Sequence, residues 1–380
     1  MTSLSPYAAR LAALDRRDRL RRLAPRAGID FSSNDYLALS RDPAIAQAVS
    51  GALARGVPLG SGGSRLLRGN APEHVALEEQ AAAFFGADAA LFMANGFVAN
   101  LAILSALPRP GDLIVADELV HASMHDGIRQ SKAHSVFVAH NDVQAFADAI
   151  AGWRAKGETG RPWIVAETLY SMDGDCAPVD ALAAIAARHD AMLMLDEAHA
   201  TGVFGAGGRG IAAHLEGADN LLTLHTCGKG LGVEGALVCG PQLLINTLVN
   251  AARPFIFSTA PSPLIAVAVG AAIRRCGEGD ELRTRLTRLR DHAGRTICAP
   301  LGLAMPVSQI IPVVLGGDGR TMAVAAACQA AGFDVRGVRP PTVPADTSRL
   351  RLSLTLNITE DDIDRLAATL LPLVQGAEAA

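Results

Sequence analysis

The chain has 380 residues, half of them hydrophobic and 19% charged, with a formal net charge of −4. This describes a globular protein of two or three domains and argues against general affinity for nucleic acid or an anionic membrane. No apolar run reaches the roughly 18 residues of a membrane span, and the N-terminus lacks the apolar core and small-residue cleavage site of a signal peptide.

In chain order, residues 10–26 are rich in arginine, interrupted by Asp15 and Asp18 and punctuated by Leu11, Leu14 and Leu20. They predict a surface amphipathic helix, with a transit peptide as the alternative reading. Residues 72–85 have helical spacing, with Pro72 suited to the first turn. A short apolar run at 89–92 is followed by a helix over 97–107. Further short apolar runs lie at 113–115, 136–138, 163–166, 192–195, 221–224 and 236–238. Such runs suit strands buried on both faces, and helical stretches between several of them, such as 180–189, predict an α/β domain with a mostly parallel sheet. After about residue 265 the texture changes. An arginine-rich helical stretch over 272–299 precedes strand-like runs at 310–315 and 350–356, with helices around 320–331 and 360–375. The expected organisation is an N-terminal helical segment (1–40), a large α/β domain (41–265) and a smaller α+β C-terminal domain (266–380). The six cysteines form no C-x-x-C pair. They read as reduced thiols of a cytoplasmic protein, and no metal site is expected.

In open α/β sheets, ligands bind beyond the carboxyl ends of the strands. Polar residues gather at five such ends: Asn95-Gly96, Asp117 to His121, Glu167 to Ser171, Asp196 to His199, and Thr226 to Lys229. Lys229 is one of only three lysines and carries the only formal charge between Asp219 and Glu234. A lysine among glycines and apolar residues can lose its proton and form a Schiff base, or can be a turn lysine facing solvent. Asp196 ends an apolar run, where a buried carboxylate needs a cation or strong hydrogen bonds. A pyridinium nitrogen would serve, and so would a helix-capping role. His199 follows three residues later. A metal reading of Asp196, Glu197 and His199 is weak without a second histidine at ligand spacing. Asn95-Gly96-Phe97 opens a helix whose free N–H groups suit a phosphate. Residues 60–64 are either a second phosphate loop or a mobile one. The glycine-rich segment 205–210 does not follow a strand and is discounted as a dinucleotide fingerprint. Residues 171–175 read as a tight turn. His121 either stacks on a flat ring or simply starts a helix.

Together these segments resemble the α-oxoamine synthases, pyridoxal-phosphate enzymes of the aspartate-aminotransferase fold type (fold type I). The resemblance rests on residues 31–37, 60–64, 95–97, 121–123, 171–175, 196–202, 226–230, 257–259 and 349–351, in family order over nearly the whole chain. It implies that Lys229 holds pyridoxal 5'-phosphate and then acts as the acid/base, and that Asp196 pairs with the ring nitrogen. His199 and Ser171 address the ring oxygen. His121 stacks on the ring and helps bind substrate. Gly96, Phe97 and Thr226 hold the phosphate, with Thr259 arriving from a second subunit of a homodimer whose active site lies at the subunit interface. Arg351 and Asn34 receive the amino-acid carboxylate, and Arg21 and Thr342 contact the acyl substrate. Residues 339–344 (Arg-Pro-Pro-Thr-Val-Pro) and 137–142 point to the member of the family that joins L-alanine to a pimeloyl thioester with loss of CO2, in biotin biosynthesis. Coenzyme A and acyl carrier protein stay open as the carrier. A sister synthase using glycine or serine, and an aminotransferase on the same fold, are the alternatives. The stretch before Phe31 is shorter than in many members.

Overall fold

The computed structural model describes residues 4–376. The chain divides into two compact units. The larger comprises residues 35–171 and 175–283, and the smaller comprises residues up to 34, residues 172–174 and those from 284 onward.

The larger unit is built on a seven-stranded sheet: β1 (Ala89–Met93), β2 (Leu113–Asp117), β3 (His134–Val138), β4 (Pro162–Glu167), β5 (Met192–Asp196), β6 (Leu221–Thr226) and β7 (Ala236–Gly240). Their order is β1-β7-β6-β5-β4-β2-β3. Only β7 runs antiparallel, between β1 and β6, so the other six strands end on the same edge. The unit is α/β of the expected kind. Its apolar runs are continuous because both faces are covered. Ile114, Val165, Met192, Met194 and Leu224 pack on one face with Ala99, Ile103 and Met124 from the helices Gly96–Ala106 and Ala122–Gln130. Leu113, Val115, Ile164, Leu193 and Leu195 pack on the other with Phe146, Ile150, Leu182 and Ile185 from Val143–Arg154 and Val179–Arg188. Alternate residues of each strand therefore serve opposite cores, as the pleat requires. The exception is edge strand β3, where Val136 and Phe137 are exposed.

The smaller unit holds a three-stranded antiparallel sheet in which Ser348–Ser353 lies between Gly337–Val338 and Ile310–Gly316. The helices Asp318–Ala330 and Glu360–Gln375 accompany it, and Ile29–Asp30 pairs in parallel with Phe333–Asp334.

Two sequence expectations are corrected. The stretch 272–299 is not one helix: Pro263–Gly277 stops before Glu278 and Gly279, and Asp280–Ala293 starts anew before a π-helical turn at Gly294–Cys298. Glycine weakens a helix, and the acidic pair Asp280 and Glu281 suits a fresh N-terminus. The N-terminal helix spans Ser5–Asp15 and buries none of its residues. It ends because Asp18 takes a left-handed conformation (φ 54°) and Arg19 turns to pair with Asp318 at 2.5 Å.

Candidate active site

Five segments of the larger unit bring polar groups to the carboxyl edge of its sheet. The first is the helix Gly96–Ala106. Asn95 caps it by accepting from the Val98 N–H at 2.9 Å, which leaves the Gly96 and Phe97 N–H groups as the open donors of the helix start. A Cβ built on Gly96 would stand 3.6 Å from the Thr226 hydroxyl oxygen, so the end of β6 adjoins this N-terminus. Two N–H groups, a hydroxyl and the positive end of the helix dipole make an anion cradle.

Asp196, at the end of β5, is 4% exposed. Its Oδ2 accepts from Asn100 Nδ2 at 2.7 Å and its Oδ1 from the Ala198 N–H at 2.8 Å. Both donors are neutral, so the carboxylate is held and oriented without being neutralised. The second hydrogen of Asn100 Nδ2 goes to Ser123 Oγ at 3.0 Å. His121 Nδ1 accepts from the Ser123 N–H, which caps the helix Ala122–Gln130, so Ser123 Oγ donates its own proton to the same Nδ1, 2.7 Å away. With Nδ1 an acceptor, the ring proton sits on Nε2. Desolvation, opposed by Asp196 and reinforced by Lys229 and His125, holds the His121 pKa below the ordinary histidine value, so its ring is neutral at neutral pH.

Lys229 follows β6 and places Nζ 2.8 Å from His199 Nε2. His199 Nδ1 in turn lies 2.6 Å from the Tyr36 hydroxyl. With Nε2 accepting from the lysine, Nδ1 carries the proton and donates to Tyr36. The loop after β5 is fixed from below by buried Glu197, whose carboxyl accepts from the Ile211 and Ala212 N–H groups and the Thr168 hydroxyl. Segment 205–210 packs on that carboxyl as a turn. Gly210 has φ +109°, and a Cβ there would stand 2.6 Å from Glu197 Cδ. Ser171, at the end of the β4 loop, is buried.

The structure thus gathers Gly96, Phe97, His121, Ser171, Asp196, His199, Thr226 and Lys229 at the carboxyl edge of one sheet. Thr259 is exposed on a separate segment. There Ala260 donates its N–H to Gly63 O, and Ser61 Oγ donates to Pro261 O, so residues 60–64 are tied to that segment. Among the described residues no group of acidic, histidine and cysteine side chains is arranged to hold a metal ion.

In the smaller unit Arg351 is 8% exposed and donates from Nη1 to Asn34 Oδ1 at 3.1 Å and to Ser353 Oγ at 2.6 Å. Arg21 and Thr342 are exposed and adjoin Arg339. The Thr342 N–H donates to Arg339 O, and the Arg21 charge helps lower the Arg339 pKa, after desolvation.

Sequence reasoning assigned no role to Asn100, Ser123 or Tyr36. Asn100 had a signal: it is the one amide in the helix Gly96–Ala106, whose only other polar side chain is Ser105, and it stands one turn after Gly96. The donor set fits pyridoxal phosphate. A buried anionic carboxylate suits a protonated ring nitrogen, the helix start suits the phosphate, and a half-buried amine suits the aldehyde.

The chain belongs to the class I and II aminotransferase family, whose model matches residues 26–370. Within that family the 8-amino-7-oxononanoate synthase of Chromobacterium violaceum is 38% identical over 377 residues, covering 95% of this chain and 96% of that protein. Among solved structures, a variant of the S. paucimobilis serine palmitoyltransferase with bound PLP–myriocin aldimine superposes with a TM-score of 0.89 at 25% identity, covering all of both chains. The 8-amino-7-oxononanoate synthase of Francisella tularensis superposes with a TM-score of 0.78 at 28% identity, covering 92% of this chain and 99% of that one. The family resemblance read from the sequence is borne out.

Proposed function

We propose that the chain is a pyridoxal-phosphate-dependent acyltransferase of biotin biosynthesis. It condenses L-alanine with a pimeloyl thioester to give 8-amino-7-oxononanoate, CO2 and the free carrier thiol. The observation that carries this reading is the convergence of the Lys229 amine, His199 and buried Asp196 at one strand edge, in a chain whose full-length relatives carry that enzyme's name.

Bound here, pyridoxal phosphate supplies an electron sink for negative charge developing at the substrate α-carbon. The protein does the rest. Asp196 keeps the ring nitrogen protonated, and Asn100 keeps Asp196 in place. Gly96, Phe97 and Thr226 hold the phosphate, joined by Thr259 from a second subunit of a homodimer. Leu67 and Phe257, 85% and 71% exposed, give a second copy apolar surface to cover. His199 and Ser171 address the ring oxygen. His121, neutral and fixed by Ser123, would stack on the cofactor ring and offer its Nε2–H to substrate. Lys229 binds the cofactor, then takes the α-proton of alanine as a base and returns a proton after CO2 is lost. Arg351 and Asn34 receive the alanine carboxylate through a guanidinium suited to such an anion, and Arg21 and Thr342 contact the acyl substrate. Coenzyme A and acyl carrier protein are both admissible carriers. A cytoplasmic site of action is part of the same proposal. Among the described residues no helix is long and apolar enough to cross a membrane.

The test is thiol release from a pimeloyl thioester in the presence of L-alanine, glycine or L-serine. Release that depends on alanine supports the proposal. Release with glycine or serine moves the chain to a sister synthase, the reading that the close superposition on a serine palmitoyltransferase favours. A keto acid formed from an amino acid alone identifies an aminotransferase.

A further inference from the structure

The ends of β4 and β5 set two buried carboxyl groups next to one another. Glu167 and Asp196 are register partners on adjacent parallel strands. Each is the last residue of its strand, in phase with Trp163 and Val165 or with Met192 and Met194. Both therefore point to the face covered by the helix Gly96–Ala106. They are 2% and 4% exposed. Two carboxyl groups that share a desolvated site resist ionising together, and the one with both oxygens hydrogen-bonded becomes the anion. Here the division is unequal. Both oxygens of Asp196 accept a hydrogen bond, from Asn100 and from the Ala198 N–H. Oε1 of Glu167 is buried without a hydrogen-bond partner among the described residues.

We propose that Glu167 is a positioning residue that holds the proton of this carboxyl pair, leaving Asp196 as the anion for the ring nitrogen of the cofactor. The inference rests on the pyridoxal-phosphate reading above. Burial, then the Asp196 charge, pushes the Glu167 pKa well above the ordinary carboxylate range, against Lys229 and the N–H groups of Ser171 and His121. The other titratable groups around it are neutral. Tyr170 is pushed up by burial and by the Asp117 charge, and His121 is pushed down by desolvation. Lys229 is the one cation among these groups, and its charge opposes the raised pKa less than the Asp196 charge supports it. In this arrangement the second carboxyl lends Asp196 no competing negative charge, and a single buried anion faces a single ring cation.

The experiment is infrared difference spectroscopy of the cofactor-loaded protein at about pH 7, a pH at which a buried glutamic acid can stay protonated. Wild type is compared with Glu167→Gln, and loading is confirmed beforehand by cofactor absorbance. Glu197 is a second buried glutamate with a raised pKa, so the assignment comes from the variant and not from glutamate labelling alone. The expected result is a protonated-carboxyl stretch in wild type that disappears in Glu167→Gln. Should that variant not fold, Glu167→Asp grown with ¹³C-aspartate is expected to show the stretch shifted by the label. A difference spectrum containing only ionised-carboxylate bands overturns the proposal, as does an unshifted stretch in labelled Glu167→Asp. A chain that takes up no pyridoxal phosphate fails at the loading step, which overturns the functional reading and this inference with it. A loaded chain with ionised Glu167 overturns this inference alone.

Discussion

Asn100 Nδ2 lies 2.7 Å from Asp196 Oδ2 and 3.0 Å from Ser123 Oγ, so one side-chain amide orients both the buried carboxylate and, through Ser123, the His121 ring. A hydrogen bond to a charged group contributes about 1.5–3 kcal/mol. Asn100→Ala is therefore expected to lower kcat/KM by roughly 10- to 100-fold. Pyridoxal-phosphate affinity should weaken in the same variant, because the carboxylate loses its orientation. Asn100→Asp should be worse, since it sets a second acid against Asp196. Kinetics and equilibrium cofactor titration check both variants. Wild-type affinity in Asn100→Ala would sink this account.

Lys229 Nζ lies 2.8 Å from His199 Nε2. Lys229→Ala is expected to lose turnover by about 10³-fold or more, within the range general-base and nucleophile losses reach. The absorbance of the lysine-bound cofactor should vanish with it. The unfolding midpoint should change little, because the residue lies in a loop at the strand edge and not in the core. Lys229→Arg should fail equally, since guanidinium keeps its proton. Activity near wild type in either variant would remove Lys229 from the mechanism.

His140 gives a pH test outside the chemistry. Its Nδ1 lies 3.0 Å from Asp117 Oδ1 and its Nε2 2.8 Å from Asp175 Oδ2. Burial opposes the charge, but the two carboxylates win and raise its pKa to about 10. A group whose folded pKa is raised contributes stability that is complete below its unfolded pKa, roughly 6.5, and is lost as pH rises through the folded value. The contribution should be about 2 kcal/mol after allowance for solvent screening. In urea unfolding, the stability difference between wild type and His140→Gln should be constant below about pH 6.5 and shrink towards pH 10. A difference that grows with pH would be the wrong sign.

How much of this was legible in the sequence differs from residue to residue. The strands were, because six of them are buried on both faces and so read as short unbroken apolar runs. Lys229 stood out because the chain uses arginine almost everywhere else, and Asp196 because a charge directly after Met192–Leu195 needs a reason. Asn100 was harder. Its importance lies in a contact 96 positions away with Asp196, and a lone amide on a helix does not declare its partner. The pairing of Glu167 with Asp196 depends on strand order, which places β4 beside β5 and β7 antiparallel beside β6. Local pattern does not encode that order. Nor does it show that residues 172–174 belong with the smaller unit while their neighbours on both sides belong with the larger.

Arg349 and Arg351 stand two residues apart on the strand Ser348–Ser353, on the same face and both buried, yet their partners differ. Arg349 is paired with Asp173 and also donates to Met172 O, so it anchors the turn at 172–174. Arg351 meets Asn34 and Ser353, neutral groups that orient the guanidinium. Arg351→Lys is expected to raise KM for alanine by roughly 10- to 100-fold with a smaller change in kcat, since a point charge replaces a planar fork. Arg349→Ala should instead cost about 2 kcal/mol of stability through the lost buried pair, with the larger effect in the unfolding midpoint and not in KM. Steady-state kinetics with varied alanine, run beside chemical unfolding of both variants, separates the two roles. The reverse pattern would exchange them.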